Sequence, residues 1–377
     1  MMEHLFWIAG LFVLYTYFGY PLLLWLIGAL RGKEVKKAPI TPPLTFIITA
    51  YNEEERIAEK IENTLGLEYP RERLQIIVAS DASTDRTDEI VRAYASQGVE
   101  LVRAPERRGK EHAQKLAVEA AKGEILVFSD VATVLKPDSL RKLAANFGDP
   151  SVGCVSSEDR VLEDRGNGSG EGYYVRYEMW LRRLESRARS VVGLSGSYFA
   201  ARKEVCHPWR EDLQSDFNTV LNAIRSGMRG VSDPEVIGYY RSVSSGKEEF
   251  RRKVRTVIRG LNVFTSSLSL LNPFRYGLFS LELLSHKLFR WLVPFALVAL
   301  LLSNFFLIPA GPFYRVSMAL QGAFYLGAAL ALFDGRLAKR APFRIPLFFS
   351  LTNFSILVAW FRYLKGERMA KWEPSRR

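Results

Sequence analysis

Three aspartates stand where side chains do chemistry. Asp81 closes the apolar run Leu74-Gln-Ile-Ile-Val-Ala-Ser-Asp81, and Asp130 closes Glu124-Ile-Leu-Val-Phe-Ser-Asp130. Asp216 opens a helix-like stretch further on. The two apolar runs read as buried parallel strands, and the carboxyl ends of such strands are where open α/β sheets bind ligands. Two carboxylates at strand ends and a third downstream fit a nucleotide-sugar site on that rim.

The elements that must carry these residues alternate regularly. Between residues 42 and 130 the chain reads TFIITA, EEERIAEKIENTL, LQIIVAS, RTDEIVRAYASQ, VELVRA, GKEHAQKLAVEAAK and EILVFSD. This is a βαβαβαβ pattern, so the fold class is α/β, with a parallel sheet flanked by helices. Asn52 precedes acidic residues 53–55, and Ser83 or Thr84 precedes the next acidic run, as helix caps and first-turn carboxylates do. After Pro150 the alternation stops. The polar stretch SSEDRVLEDRGNGSGEG predicts a mobile loop, residues 173–189 an aromatic and basic helix, and residues 191–202 a glycine-punctuated strand pair. Ser215 begins another helix, with Gly227 as its stop.

Composition adds a membrane portion. The chain has 377 residues, 48% of them hydrophobic, and they are unevenly spread. Residues 5–30 are almost uncharged and long enough for a bilayer core of about 30 Å. Arg31, Lys33, Lys36 and Lys37 follow, whereas Glu3 precedes. The positive-inside rule then puts the amino terminus outside and the next domain in the cytoplasm, in an integral inner- or plasma-membrane protein. A cleaved signal would carry the opposite polarity, so a retained anchor is expected. A helical hairpin begins near Leu288, and residues 346–361, flanked by Arg and Lys, are expected to lie at the interface. That makes three spans plus an interfacial helix. The expected organisation is an anchor and basic linker at 1–38, a catalytic domain at 39–248, amphipathic interface helices at 249–287 and a membrane region at 288–377. His286 is read as an interfacial residue.

The net charge of +12 clusters beside apolar segments, where anionic lipid headgroups meet it, and no nucleic-acid-binding motif accompanies it. Membrane lipids are therefore the expected partner and nucleic acid is not. Cys154 and Cys206, the only cysteines, form neither a disulfide framework nor a zinc site and suit a reducing compartment.

Taken in order, several segments resemble the family 2 glycosyltransferases of the GT-A fold, in the membrane-embedded branch that includes cellulose, chitin and hyaluronan synthases. Thr49-Ala-Tyr-Asn-Glu-Glu54 is similar to the family's opening nucleotide-binding turn, which places Ala50, Tyr51, Asn52 and Glu53 at the donor. Ser80-Asp-Ala-Ser-Thr-Asp-Arg-Thr87 resembles the turn whose first aspartate, here Asp81, contacts the uracil. Arg108-Gly-Lys110 resembles the glycine-lysine segment before the third helix. The resemblance covers most of residues 44–259.

Asp130 occupies the first position of the family's DxD pair, but the chain reads Asp130-Val131-Ala132, without the second carboxylate. The resemblance implies a Mg2+ or Mn2+ ion on the sugar diphosphate, with Asp130 as its protein ligand; one carboxylate, phosphate oxygens and water would complete the shell. Asp216 matches the catalytic base, which takes the proton of a sugar hydroxyl as it attacks the anomeric carbon and inverts it. Asp212 is the competing candidate, and a helix cap is the structural alternative for Asp216. Arg252-Lys-Val-Arg255-Thr256 falls where the family has QxxRW, with both Gln and Trp absent. Arg252 and Arg255 suit the phosphates of the leaving group. Gly196, Ser197 and Tyr198 fall on the family's acceptor-side strand. Trp372-Glu-Pro-Ser-Arg376 resembles the carboxyl-terminal tryptophan segment of related synthases.

The implied activity is inverting transfer from a nucleotide-sugar, expected to be a UDP-sugar, to a lipid-linked or polysaccharide acceptor, in surface-polysaccharide synthesis. Two alternatives stand beside it. One is single transfer to a polyprenyl phosphate or lipid, which the altered QxxRW favours. The other is a nucleotide-sugar-binding membrane sensor or scaffold without turnover, which the incomplete DxD favours and Asp216 opposes. A homo-oligomer or export partner would be needed for polymer export.

Overall fold

The computed structural model describes residues 1–161, 170–240 and 246–369. Seven strands form one mixed sheet: β1 (Leu44–Ala50), β2 (Leu74–Ser80), β3 (Val99–Arg103), β4 (Ile125–Asp130), β5 (Val152–Val161), β6 (Tyr198–Arg202) and β7 (Arg229–Tyr240). Their spatial order is β3-β2-β1-β4-β6-β5-β7. The first four strands are parallel, as their alternation with helices predicts. β6 then runs antiparallel to both β4 and β5.

The apolar runs are continuous because the sheet is covered on both faces. Phe46 and Ile48 pack with Ile76, Val78 and Val127 on one side, while Ile47 packs with Ile77, Leu126 and Phe128 on the other. This is the period of two expected of a pleated strand. Helix α1 spans Met2–Arg31 and precedes the sheet. Helices α2 (Ile57–Leu65), α3 (Thr87–Ala93) and α5 (Ser139–Ala145) close the first face. Helices α4 (Lys110–Ala120), α7 (Ser215–Arg225) and α8 (Gly246–Thr265) close the second, and α6 (Gly170–Ala188) lies between the domain and α1. Each fully buried Ile, Leu, Val or Phe contributes about 1.5–3 kcal/mol, so the sheet is a stiff platform for its rim.

Two local expectations change. The polar stretch predicted as a loop begins as strand: residues 156–161 extend β5 alongside β7, because their backbone groups pair even though their side chains are polar. Residues 162–169 lie outside the described residues. Residues 191–197 form no strand, so the anticipated pair is β6 alone. The Trp372 segment also lies outside the described residues.

Besides α1, the helical stretch α9 (Leu278–Ala310), α10 (Pro312–Phe333) and α11 (Ala341–Leu364) are long and apolar enough to cross a membrane, giving four such helices among the described residues. Helix α11 also lies side by side with α8. Lys253 donates to the Thr352 hydroxyl at 2.9 Å, and near the far end of α8 the Thr265 and Tyr363 hydroxyls are 2.7 Å apart.

Candidate active site

The sheet's topology makes the cleft. β1 has β2 on one side and β4 on the other, so the connections leaving their carboxyl ends diverge and open a crevice. Thr49 is paired with Asp130 in register, which brings the turn after β1 and the end of β4 to one rim. A cavity of about 300 Å³ lies there. Its lining includes Glu53, Lys110, Asp130, Gly196, Ser197 and Asp216, with Arg252, Arg255 and Arg259 from α8.

On the β4 side, Asp130 is held rather than loose. Lys110, the first residue of α4, sets its Nζ 2.5 Å from Asp130 Oδ1 and 2.9 Å from the Gly196 carbonyl oxygen. Gly109 just before it has φ +112°, a conformation that only glycine adopts without strain, and this turn aims Lys110 at the rim. Beneath Asp130, the buried Lys60 donates to the Ser129 hydroxyl at 2.8 Å and the Thr133 carbonyl at 2.6 Å. Burial lowers the Lys60 pKa to about 7, with Asp130 acting in the opposite direction. Glu53 pairs with Arg56 at 2.6 Å. Burial raises its pKa and the like charge of Asp130 adds to the rise, while Arg56 opposes both.

The other predicted donor residues are distributed behind this wall. Asp81 is fully buried, and its carboxylate accepts the backbone N–H groups of Arg108 and Gly109 at 3.0 Å. It anchors the loop that delivers Lys110 and does not line the cavity. Ala50 is buried at the end of β1. Tyr51 lies under the Arg107 guanidinium at 3.9 Å. Asn52, at φ +51°, is locked to the Asp81 turn by exchange with Thr84, accepting its N–H at 2.8 Å.

Asp216 faces this group from the first turn of α7. Gln214 Nε2 donates to its Oδ2 at 3.1 Å, while Oδ1 has no hydrogen-bond partner among the described residues. The carboxyl is recessed yet reachable from the cavity. Burial raises its pKa, against the pull of Lys110 and Arg259. A carboxylate with a raised pKa and one oxygen left without a partner is suited to accepting a proton. Asp212, the competitor, is exposed, ion-paired to Arg210 at 2.5 Å and absent from the lining.

Of the three residues expected on the acceptor side, Gly196 and Ser197 line the cavity but Tyr198 does not. It is fully buried with its hydroxyl 3.1 Å from Ser139, because strand alternation turns it to the opposite face of the sheet. The third arginine, Arg259, was not singled out from sequence. It pairs with Glu111 of α4 and stands one helical turn beyond Arg255, a spacing that gives it the same helix face. Asp159 was missed for a different reason: it sits in the polar stretch read as loop. From β5 its Oδ1 accepts the hydroxyls of Ser195 and Ser197, both at 2.6 Å.

Residues 45–208 match the family model described as "Glycosyl transferase family 2". The chain carries a family 2 glycosyltransferase domain. The chain is 27% identical over 165 residues to the poly-beta-1,6-N-acetyl-D-glucosamine synthase of Staphylococcus aureus (strain COL), covering 42% of the chain and 39% of that relative. It is 24% identical over 204 residues to the synthase of the same name from Staphylococcus epidermidis, covering 49% of each. The chain thus spans half or less of the length of these curated relatives. Among solved structures, the mannosyltransferase PcManGT from Pyrobaculum calidifontis, in complex with GDP-Man and Mn2+, superposes with a TM-score of 0.75 at 25% identity. That match covers 97% of this chain and 100% of PcManGT, so the long apolar helices are included.

Proposed function

We propose that the protein is a membrane-bound, inverting glycosyltransferase that moves a sugar from a nucleoside diphosphate donor to a lipid-linked or glycan acceptor. The observation that carries this is one cavity lined by Asp130, Lys110, the α8 arginines and the recessed Asp216, whose Oδ1 has no hydrogen-bond partner among the described residues. In this reading Asp216 takes the proton of the acceptor hydroxyl as its oxygen forms the new bond to the anomeric carbon. The bond from that carbon to the diphosphate oxygen breaks, and its electron pair leaves with the nucleoside diphosphate. Arg252, Arg255 and Arg259 then face the developing charge, where pre-placed cations are most effective.

A divalent cation fits the residues present. Asp130 Oδ1 is taken by Lys110, but Oδ2 makes no hydrogen bond among the described residues and the side chain is 24% exposed on the cavity wall. With no cluster of three or more His, Cys, Asp or Glu among the described residues, donor phosphates and water would supply the remaining ligands. Bound there, Mg2+ or Mn2+ would neutralise the diphosphate; Mn2+ in the PcManGT complex supports such an ion. The same complex puts GDP-mannose beside UDP-sugars as a donor to test.

The orientation that fits the flanking charges is a cytoplasmic catalytic domain in an inner or plasma membrane. The packing of α11 along α8, which bears the donor-side arginines, favours an interfacial course for the second half of α11 over a fourth full span. With so few spans, export of a polymer would need a homo-oligomer or partner. The deciding experiment measures nucleoside diphosphate release by protein held in nanodiscs, from UDP- and GDP-sugars with and without Mg2+ or Mn2+, beside Asp216→Asn. Cation-dependent release from one donor, lost in the variant, supports the reading. Donor binding without release across the panel and native lipids refutes it and leaves a sensor.

A further inference from the structure

A second cavity, of about 340 Å³, adjoins the first and shares Asp216 with it. Helix α8 lines both cavities, through Arg252 and Thr256, but the further walls of the second include α6 and three membrane helices, through Tyr17 of α1, Lys287 of α9 and Phe348 and Thr352 of α11. The catalytic carboxylate therefore looks onto a chamber built against the membrane region.

The cations of this chamber are almost all committed. Arg290 is 2.7 Å from Glu178, and His286 lies between Glu178 at 3.0 Å and Glu185 at 2.5 Å. Arg252 pairs with Glu249 at 2.8 Å, Lys253 bonds Thr352, and Arg182 bonds Ser156 at 3.3 Å. Lys287 differs. Among the described residues its ammonium makes no hydrogen bond or ion pair; its recorded contact is the Phe217 ring, 4.9 Å to the centroid. Glu178 and Glu185 act on it only at a distance, being bonded to His286 and Arg290, and an ammonium recessed from water without a directly bonded anion is unfavourable unless something else supplies one.

We infer that Lys287 holds the phosphate of a membrane-borne acceptor, a lipid phosphate or diphosphate bearing the sugar hydroxyl that Asp216 activates. This rests on the proposed glycosyl transfer and names the acceptor class of the same site. The phosphate anchors and does not react, so no covalent step is added: the hydroxyl, the base and the leaving diphosphate are those given above. The hydrocarbon chain leaves the chamber between membrane helices, where a soluble glycan would have no need of such walls.

The test is direct binding to the full chain in phosphatidylcholine nanodiscs, using a long-chain isoprenyl phosphate, the matching isoprenol, inorganic phosphate and phosphatidylglycerol. The isoprenyl phosphate should bind about tenfold or more tightly than the alcohol, as a charge-assisted bond implies. Lys287→Met should abolish that difference without weakening the alcohol, and Lys287→Arg should keep most of it. Equal binding of phosphate and alcohol by the unmodified protein would overturn the inference even if Lys287→Met failed to fold. So would competition by inorganic phosphate or phosphatidylglycerol as effective as the isoprenyl phosphate, which would mark a free-phosphate or bulk-lipid site. If Lys287-dependent binding survives in Asp216→Asn while no donor is turned over by the unmodified protein, the transferase reading fails and the anion site stands.

Discussion

Lys110 Nζ lies 2.5 Å from Asp130 Oδ1, so the strand-end carboxylate of the proposed donor site is half-occupied by a protein cation. A metal ion on Asp130 would sit beside that ammonium and be repelled by it. Lys110→Met should therefore lower the Mn2+ concentration giving half-maximal turnover several-fold. It should also reduce turnover by about a hundredfold, because a pre-placed cation near the diphosphate is gone. Cation titrations of both proteins decide this; a higher Mn2+ requirement in the variant would mean that Lys110 helps build the cation site.

Gly196 leaves room for Asp216, the proposed base. A Cβ there would come within 2.6 Å of Asp216 Oδ2, and the flexible carboxylate is what must move. Gly196→Ala is expected to cut kcat about a hundredfold while leaving the thermal midpoint nearly unchanged, since ångström-scale misplacement of a reacting group has that order of cost. Wild-type kcat in a folded Gly196→Ala protein would remove Asp216 from the reaction.

The pH profile should report Asp216. Burial raises its pKa, and Lys110 and Arg259 pull it down. A base must be ionised, so kcat/KM should fall as pH drops through a value above the ordinary aspartate pKa of about 3.9. Removing a positive neighbour disfavours the carboxylate, so Arg259→Met should move this acid limb to higher pH. A limb that stays in place, or moves lower, contradicts the assignment.

Asp81 should behave as a loop anchor. Its carboxylate accepts two backbone N–H groups in a fully buried site, and an asparagine amide would turn a donor toward one of them. Asp81→Asn is expected to destabilise the fold by about 1–3 kcal/mol. Calorimetry should show a lower thermal midpoint and donor assays a raised KM through displaced Lys110. A raised donor KM with unchanged stability would instead support direct contact with the nucleotide base.

The buried parallel strands, their helices and the rim with Asp130 were legible in the sequence because period, run length and turn residues are local signals. Asp216, which lines the cavity, was singled out through its resemblance to a known base, and α8 through its basic amphipathic pattern. The parts that went unread are those in which distant segments meet. The polar residues 156–161 are strand because β7 supplies their backbone partners. Tyr198 is buried because pairing with β4 sets which face it takes. Arg259 joins the site because α8 lies along α4.

Local chemistry in the sequence determined that this chain has an α/β domain with a carboxylate rim beside apolar helices. Tertiary structure decided which carboxylates face the cavity: Asp130 and Asp216 do, while Asp81 and Asp212 are spent on a loop and an exposed ion pair. It also decided that Lys287, about three-quarters of the way along the chain, shares a chamber with Asp216. The physical reason is that burial and pairing depend on which segments pack together, and no run of neighbouring residues encodes that by itself.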